Sequence, residues 1–270
     1  MCNHCVIENV KQNMLSRRSL FKGMAIAGAA VVGSGVKTPV LAQQSTSKVV
    51  DLTHAYDGSF PTFDGKPGIE YEWAVEIAKS GYQLHKLTII EHTGTHVDAP
   101  FHFSADGASV DQLEPQKLVA PLAIIDITDR AKDDANATVE AADIEAWISA
   151  NGELPAGAVV ALRSGWSKKV TDPSFRGDAA GNFAFPGFGK SATDLLATLD
   201  VTAIGVDTLS LDPGNSADFA VHNSWLPAGR YGIECLNNLE ELPVKGATIV
   251  VGAPKHKGGT GGPARVLALV

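Results

Sequence analysis

The sequence predicts an α+β fold built around a mixed β-sheet. Strand-like segments outnumber helical ones along the 270-residue chain. Most of them are rich in valine, isoleucine and leucine and are bounded by glycine, proline or aspartate, as buried strands are. Their order is not the regular alternation of strand and helix that produces a fully parallel sheet. We therefore expect parallel and antiparallel strands in one sheet, with helices flanking it.

Taken in chain order, the elements are short and evenly distributed. Eight segments have the composition of strands: residues 48–52, 69–77, 82–91, 118–127, 158–163, 203–207, 247–252 and 264–270. Helical spacing of apolar residues is clearest at 139–150 and 191–199, and residues 223–225 fit a short helical turn. No repeat or linker interrupts residues 49–270. The sequence therefore predicts one domain over residues 43–270.

The charge is unevenly distributed and excludes some classes of partner. The whole chain has a formal net charge of −8, but residues 1–42 hold five basic residues and one acidic residue. Residues 43–270 therefore carry −12, from 17 basic and 29 acidic residues. A body this acidic repels phosphate backbones and anionic lipid headgroups. We expect no nucleic-acid partner, and a small-molecule substrate or a metal cation instead.

The first 42 residues have the pattern of an export signal. Arg17 and Arg18 precede an uncharged, small and apolar run over residues 23–36, and Ala42 ends a short small-residue segment. This pattern resembles a twin-arginine signal peptide, which implies the twin-arginine export machinery, cleavage near Ala42 and a periplasmic protein. The run is too short and too rich in glycine and alanine for a permanent membrane anchor. The alternative is an amphipathic N-terminal helix.

A dense cluster of metal-ligand side chains lies between residues 92 and 102. His92, His96, Asp98 and His102 fall within eleven residues, in a chain that has eight histidines. His96 and Asp98, two apart, share a face if the segment is extended. His92 can join them if the chain turns at Gly94, since glycine tolerates unusual dihedrals. Two imidazoles and a carboxylate suffice for Zn²⁺ or Mn²⁺ with positions open for water and substrate.

The same segment carries a family resemblance. Its pattern, H-x-G-T-H-x-D-x-P-x-H over residues 92–102, resembles the signature of the cyclase family, which includes bacterial kynurenine formamidases and isatin hydrolases. Residues 205–212, 236–239 and 261–265 also resemble family segments, so the likeness spans roughly residues 48–270. It implies a catalytic domain with a barrel-like mixed sheet flanked by helices, of the swivelling β/β/α kind. It also implies a homodimer.

The resemblance implies a set of functional residues. In a formamidase-like, two-metal arrangement, His92, His96 and Asp98 would hold one ion, and Asp98 would bridge to a second. The second ion would be held by three further residues: His102, His222 and Glu234. The isatin-hydrolase-like arrangement uses a single Mn²⁺ on the first three ligands. The resemblance thus leaves open one or two ions, zinc or manganese, and whether His102 is a ligand or a proton shuttle.

The resemblance implies an enzyme that acts on C–N bonds other than peptide bonds. A divalent ion lowers the pKa of bound water towards 7, and the resulting hydroxide would attack an amide, formamide or lactam carbonyl. His102 or Glu234 would transfer a proton to the leaving nitrogen. Residues 60–65 resemble the segment in which the formamidases place a tryptophan that stacks on substrate, and this chain offers Phe63 there instead. The alternative from another class is an exported metal-binding or metal-storage protein without hydrolytic turnover.

Other polar features have more ordinary interpretations. The glycine-rich run 258–262 lacks the spacing of a phosphate-binding loop and runs into Pro263, so it predicts a turn. Asp207 and Asp212 are possible catalytic acids, but a structural role beside the metal-binding segment is the preferred interpretation.

Overall fold

A mixed sheet of nine strands forms the centre of the molecule in this computed structural model, which describes residues 48–270. The strands are β1 (Val49–Asp51), β2 (Ile69–Val75), β3 (Leu84–Ile89), β4 (His96–Asp98), β5 (Val119–Asp126), β6 (Thr138–Val139), β7 (Ala158–Arg163), β8 (Gly187–Phe188), β9 (Val201–Val206), β10 (Tyr231–Glu234), β11 (Lys245–Gly252), β12 (Gly261–Pro263) and β13 (Arg265–Leu269). The helices are α1 (Ile77–Ser80), α2 (Thr128–Asp133), α3 (Ala141–Asn151), α4 (Lys190–Thr198) and α5 (Ala220–Trp225).

The order of strands in the sheet is β1-β13-β11-β5-β7-β9-β10-β4-β12. The four central strands β5, β7, β9 and β10 run parallel, and the strands on both sides of them pair antiparallel. Helices α3, α4 and α5 lie in the connections between the parallel strands, as crossovers between parallel strands require. The predicted α+β fold with a mixed sheet is confirmed.

The central strands are apolar without alternation because both of their faces are buried. In β5, Leu122 and Ile124 belong to one apolar core and Ala123 and Ile125 to another. Helices α3 to α5 cover the second core with their buried side chains, which are Ile144, Trp147, Ala192, Leu196, Val221 and Trp225. The sheet encloses the first core by curling, so that it resembles half of a barrel.

Contacts between the segments after β1 and β10 maintain this curl. The Asn237 N–H donates to the Leu52 carbonyl over 3.0 Å, and Thr53 forms an isolated antiparallel bridge with Leu236. These contacts join strands that are six places apart in the sheet order. The curl brings β4, β10 and β12 together at one end of the sheet.

Strands β2 and β3 form a two-stranded ribbon outside the main sheet. All but two of the residues in these strands are exposed. One face of the ribbon is largely apolar, because Tyr71 lies opposite Leu87 and Trp73, two residues from Tyr71, projects from the same face. The other face is polar and includes an ion pair between Glu72 and Lys86, 3.2 Å apart.

The eight predicted strands and two predicted helices are present, within about three residues at each end. The predicted turn at 223–225 is the end of α5. The sequence did not indicate β4, β10 or β12, since each has at most four residues and they include polar side chains or glycines. The predicted signal peptide, residues 1–42, lies outside the described residues. Among residues 48–270 no helix is long and apolar enough to cross a membrane.

Candidate metal centre

Strands β4 and β10 place three potential ligands side by side. His96 and Asp98 are two residues apart on β4 and therefore project from the same face. Glu234 ends β10 and is the direct antiparallel partner of His96. The Nε2 atom of His96 lies 3.2 Å from Glu234 Oε2 and 3.4 Å from Asp98 Oδ1. All three side chains are buried.

A turn before β4 brings His92 to the same point. Gly94 has a φ of +64°, a left-handed conformation that other residues seldom adopt. A Cβ atom there would also lie 2.8 Å from the ring of Tyr56. The turn places His92 Nδ1 2.7 Å from Asp98 Oδ1. The sequence-based expectation of a turn at Gly94 is confirmed.

Helix α5 supplies the fifth group, His222. Asp212 positions this residue, because its carboxylate accepts the backbone N–H groups of Val221 and His222 and lies 2.6 Å from His222 Nδ1. The other ring nitrogen, Nε2, lies 3.5 Å from Asp98 Oδ2 and 3.3 Å from Glu234 Oε1. Asp212 is therefore a positioning residue, in agreement with the structural role preferred from sequence.

Asp207 is also structural. It is buried and accepts the backbone N–H groups of Ser164, Gly165 and Trp166 together with the Ser164 hydroxyl. It thereby fixes the loop after β7 to the end of β9.

Two triads of potential ligands share one carboxylate. Ligand atoms of the first triad, His92, His96 and Asp98, all lie within 4.8 Å of one another, and so do those of the second, Asp98, His222 and Glu234. Five of the six predicted ligands are thus brought together. The sixth, His102, belongs to neither triad. Its ring stacks on that of His92 with centroids 3.8 Å apart and lies 6.1 Å from the ring of His222.

Backbone and carboxylate contacts fix which ring nitrogens face the cluster. His96 Nδ1 lies 2.9 Å from the Gly94 carbonyl, which only accepts, so Nδ1 carries a proton. Asp212 holds a proton on His222 Nδ1 in the same way. In both residues Nε2 is left facing the carboxylates. This is how protein surroundings usually prepare histidine for a metal ion.

The electrostatics of the cluster favour a bound cation. Burial disfavours a charged imidazole, but the carboxylates of Asp98 and Glu234 outweigh it and raise the pKa of His96 to about 10. Burial likewise opposes ionisation of Asp98, yet its three histidine neighbours hold its pKa well below the usual value. His96 Nε2 and Asp98 Oδ2 are buried without a hydrogen-bond partner. Nitrogen and oxygen donors of this kind suit a divalent ion, so the residues fit the predicted metal.

The pKa of His102 is lowered, whereas those of His96 and His222 are raised. Burial of His102, aided by nearby His92 and His222, lowers its pKa to about 4 against the opposing effect of Asp98 and Glu234. His102 is therefore neutral at pH 7 and able either to accept or to donate a proton through its two nitrogens. This geometry and charge suit a proton shuttle beside the triads.

Aromatic side chains connect Phe63 to the cluster. Phe63 stacks on Phe183 with ring centroids 4.3 Å apart and lies 5.8 Å from Phe219. Phe219 and Phe103 in turn lie 5.8 Å and 4.7 Å from the His222 ring. Phe63 is 39 % exposed, so its ring is accessible. Sequence reasoning did not single out the other three phenylalanines, because they lie far apart along the chain.

This fold and this centre define a family of hydrolases. Residues 50–213 match the family described as "Putative cyclase", and the chain belongs to this cyclase family. The isatin hydrolase of Roseibium aggregatum is 34 % identical over 195 residues, which cover 68 % of this chain and 73 % of that protein. The kynurenine formamidase of Bacillus mycoides is 30 % identical over 201 residues, which cover 72 % and 83 %.

The fold is also similar to that of a solved isatin hydrolase structure. Isatin hydrolase A from Ralstonia solanacearum matches with a TM-score of 0.79 and 33 % identity, over 88 % of this chain and 100 % of that one. The family resemblance stated from the sequence is therefore confirmed.

Proposed function

We propose that the protein is a metal-dependent hydrolase that opens the C–N bond of a small amide, formamide or lactam. The observation that carries this proposal is the pair of triads sharing Asp98 at the junction of β4, β10 and α5. The relatives named above are an isatin hydrolase and a kynurenine formamidase, both of which act on such bonds. A metal-storage protein without turnover is not favoured, because these relatives are enzymes.

Different residues of the chain would bind the metal and transfer protons in this reaction. His92, His96 and Asp98 would hold one ion, and Asp98, His222 and Glu234 a second. A divalent ion held by these residues would lower the pKa of water and polarise a carbonyl oxygen. Neutral His102, stacked beside the first triad, accepts the proton of the attacking water and donates it to the leaving nitrogen. Glu234 is the other group placed for proton transfer.

Loss of activity in ligand variants tests this function. We expect His96→Ala and Glu234→Gln to abolish turnover while circular dichroism shows an intact fold. Glu153→Gln is the matched control, since Glu153 is exposed and belongs to neither triad. Full activity of both ligand variants would contradict the proposal.

We propose a planar aromatic amide or lactam as the substrate class. Phe63, Phe183, Phe219 and Phe103 form an aromatic wall that leads to His222, and such rings stack favourably on flat aromatic groups. Rates on isatin, N-formylkynurenine and an aliphatic formamide would test this class. We expect Phe63→Ala to raise KM for the aromatic compounds and to leave KM for the aliphatic one unchanged. Equal effects on all three would contradict it.

We propose zinc or manganese as the ion, with one or two ions per subunit. Mixed nitrogen and oxygen donors accept both metals, and the shared Asp98 allows a bridged pair. A protein that folds in the cytoplasm before export would bind manganese there, away from competing zinc. Elemental analysis of purified protein, together with that of His222→Ala, would give the count. A single ion retained in both proteins would exclude the second triad as a metal site.

We propose a homodimer formed through the β2–β3 ribbon. Its apolar face carries Tyr71, Trp73 and Leu87, each about half exposed, and a two-stranded ribbon is only marginally stable alone. A second copy of the chain would cover this face. We expect Trp73→Glu to produce monomers in light scattering, and Val119→Glu, at another exposed apolar position, to leave the dimer intact. A wild-type monomer would contradict the proposal.

We propose export to the periplasm by the twin-arginine machinery, with cleavage near Ala42 and no permanent membrane anchor. The support is the sequence pattern around Arg17 and Arg18. Replacing both arginines with lysine is expected to leave the precursor in the cytoplasm. N-terminal sequencing of the exported protein locates the cleavage site. Unchanged export of the double variant would contradict this proposal.

A further inference from the structure

Two residues outside both triads contact the far side of the His92 ring. His92 Nε2 lies 2.9 Å from the Thr260 hydroxyl oxygen. The Thr260 hydroxyl donates to Glu91 Oε2, and the Thr260 backbone N–H lies 3.2 Å from the same oxygen. The other carboxylate oxygen, Glu91 Oε1, lies 2.6 Å from His256 Nε2. Glu91, Thr260 and His92 thus form a continuous chain of hydrogen bonds.

The direction of these bonds follows from the donors available. A hydroxyl has one proton, and an ionised carboxylate only accepts. Since Thr260 donates its proton to Glu91, its oxygen can only accept from His92. His92 Nε2 must therefore carry a proton, and Nδ1 is the nitrogen that faces Asp98 and the first triad. The chain of bonds fixes both the ring orientation and the proton position of His92.

The backbone is built to hold Thr260 at this place. The Ala99 N–H donates to the Thr260 carbonyl over 2.9 Å, and β12 begins at the next residue, Gly261, which pairs with Asp98. A Cβ atom on Gly261 would lie 2.9 Å from His92 Cε1 and 2.1 Å from the Val97 carbonyl oxygen. The absence of a side chain at Gly261 is therefore what lets this strand lie against the His92 ring. The glycine-rich run begins with the predicted turn, but its last two residues, Gly261 and Gly262, belong to β12, which packs against the centre.

We infer that Glu91 and Thr260 are positioning residues for the metal centre, which hold His92 in the state that binds a divalent cation through Nδ1. The inference rests on the proposed function only in that the triads bind a metal. Neither residue is among the predicted ligands or proton carriers. Removing such an outer partner of a ligating histidine commonly lowers metal affinity by about 10–100-fold.

Zinc titration of metal-free protein tests the inference. Thr260→Val removes the hydroxyl at nearly constant volume, and Thr260→Ser restores it. We expect Thr260→Val to lower zinc affinity about 10–100-fold, measured by competition with a chromophoric chelator, and Thr260→Ser to stay within about threefold of wild type. Glu91→Gln removes the carboxylate that orients the Thr260 hydroxyl proton. We expect its zinc affinity to lie between those of Thr260→Val and Thr260→Ser.

A matched control lies in β6, away from both triads. Thr138 makes the same kind of bond, donating its hydroxyl to Glu140 Oε1 over 2.6 Å, so Thr138→Val should leave zinc affinity unchanged. Nitrogen NMR of histidine-labelled, zinc-loaded protein gives a second readout. We expect a proton on His92 Nε2 in wild type and in Thr260→Ser, and a mixture of proton positions in Thr260→Val.

Two outcomes overturn the inference. One is wild-type zinc affinity in Thr260→Val, and the other is equal loss in Thr260→Ser and Thr260→Val, which would assign the residue to packing. The failure of the proposed function has a different signature. A wild-type protein that binds zinc but hydrolyses none of the amides would disprove the hydrolase, while the series of Thr260 variants would still decide the inference.

Discussion

Histidine side chains at this centre have pKa values that their surroundings shift in opposite directions. His96 is held between carboxylates that favour its protonated form, whereas His102, a few residues along the chain, is kept neutral by burial. The clustering of the motif's side chains at one site was predictable, because four potential ligands within eleven residues are seldom accidental. Their division into ligands and neighbour was not, since it depends on the ring stacking of His92 and His102, which spacing does not reveal.

His54 illustrates the same effect away from the triads and predicts a pH dependence of stability. It is 7 % exposed, its Nε2 has no hydrogen-bond partner, and burial lowers its pKa to about 4. The unfolded chain therefore takes up a proton below about pH 6.5 that the folded protein does not bind until about pH 4. The free energy of unfolding is therefore unaffected by His54 above about pH 6.5, and it decreases as the pH falls from about 6.5 to about 4.

Urea unfolding of wild type and His54→Gln, both with a chelator present, measures this loss. Between about pH 7.5 and about pH 5 the free energy of unfolding should fall by about 2 kcal/mol more in wild type than in the variant. The comparison cancels other groups that titrate in both proteins. Parallel pH curves for the two proteins would contradict the assignment to His54.

At the scale of elements, the centre depends on a three-residue strand and the turn before it. β4 contributes His96 and Asp98, and its register against β10 brings Glu234 opposite His96. The sequence did not reveal β4 as a strand, because its short length and polar residues hide the alternation that marks longer strands. Its pairing with β10 and β12 forms only in the folded sheet. The turn at Gly94 was predictable, because glycine is the residue that such a turn requires.

The turn at Gly94 predicts a stability difference between two glycine variants. Gly94 and Gly157 both have positive φ, but a Cβ on Gly94 would lie 2.8 Å from Tyr56 while one on Gly157 would meet nothing within 4 Å. Each alanine variant should lose about 1–2 kcal/mol from the left-handed backbone. Gly94→Ala should lose more, and should also weaken zinc binding. Thermal unfolding and zinc titration measure both effects, and equal losses in the two variants would exclude the Tyr56 contact.

For the whole molecule, the long apolar strands and helices were predictable because they repeat a pattern over many residues. The fold class follows from their number and order. The contribution of His222 and Glu234 came from the family resemblance, since they lie more than a hundred residues beyond the motif. No local pattern indicates that the curl of the sheet brings β10 and α5 to β4. The β2–β3 ribbon was predicted as two strands, but its separation from the main sheet was not.

Because the triads join distant parts of the chain, metal binding should stabilise the entire domain. An ion that binds only the folded state adds about 4 kcal/mol when its concentration is about a thousand times its Kd. For a domain of this size we expect Tm to rise by about 10 °C over the chelated protein. Differential scanning calorimetry measures the shift, and His96→Ala should reduce it strongly. An unchanged Tm on adding zinc or manganese would contradict the metal centre.

The position of Asp98 in both triads has a consequence for anyone who wishes to dissect the centre. Its two oxygens face different neighbours, Oδ1 towards His92 and Oδ2 towards His222. Replacing the carboxylate with an apolar side chain such as alanine removes an oxygen from each half at once, so this change disables both halves and distinguishes neither. His92 and His222 each belong to a single half. Altering either one leaves the other half with all of its own side chains.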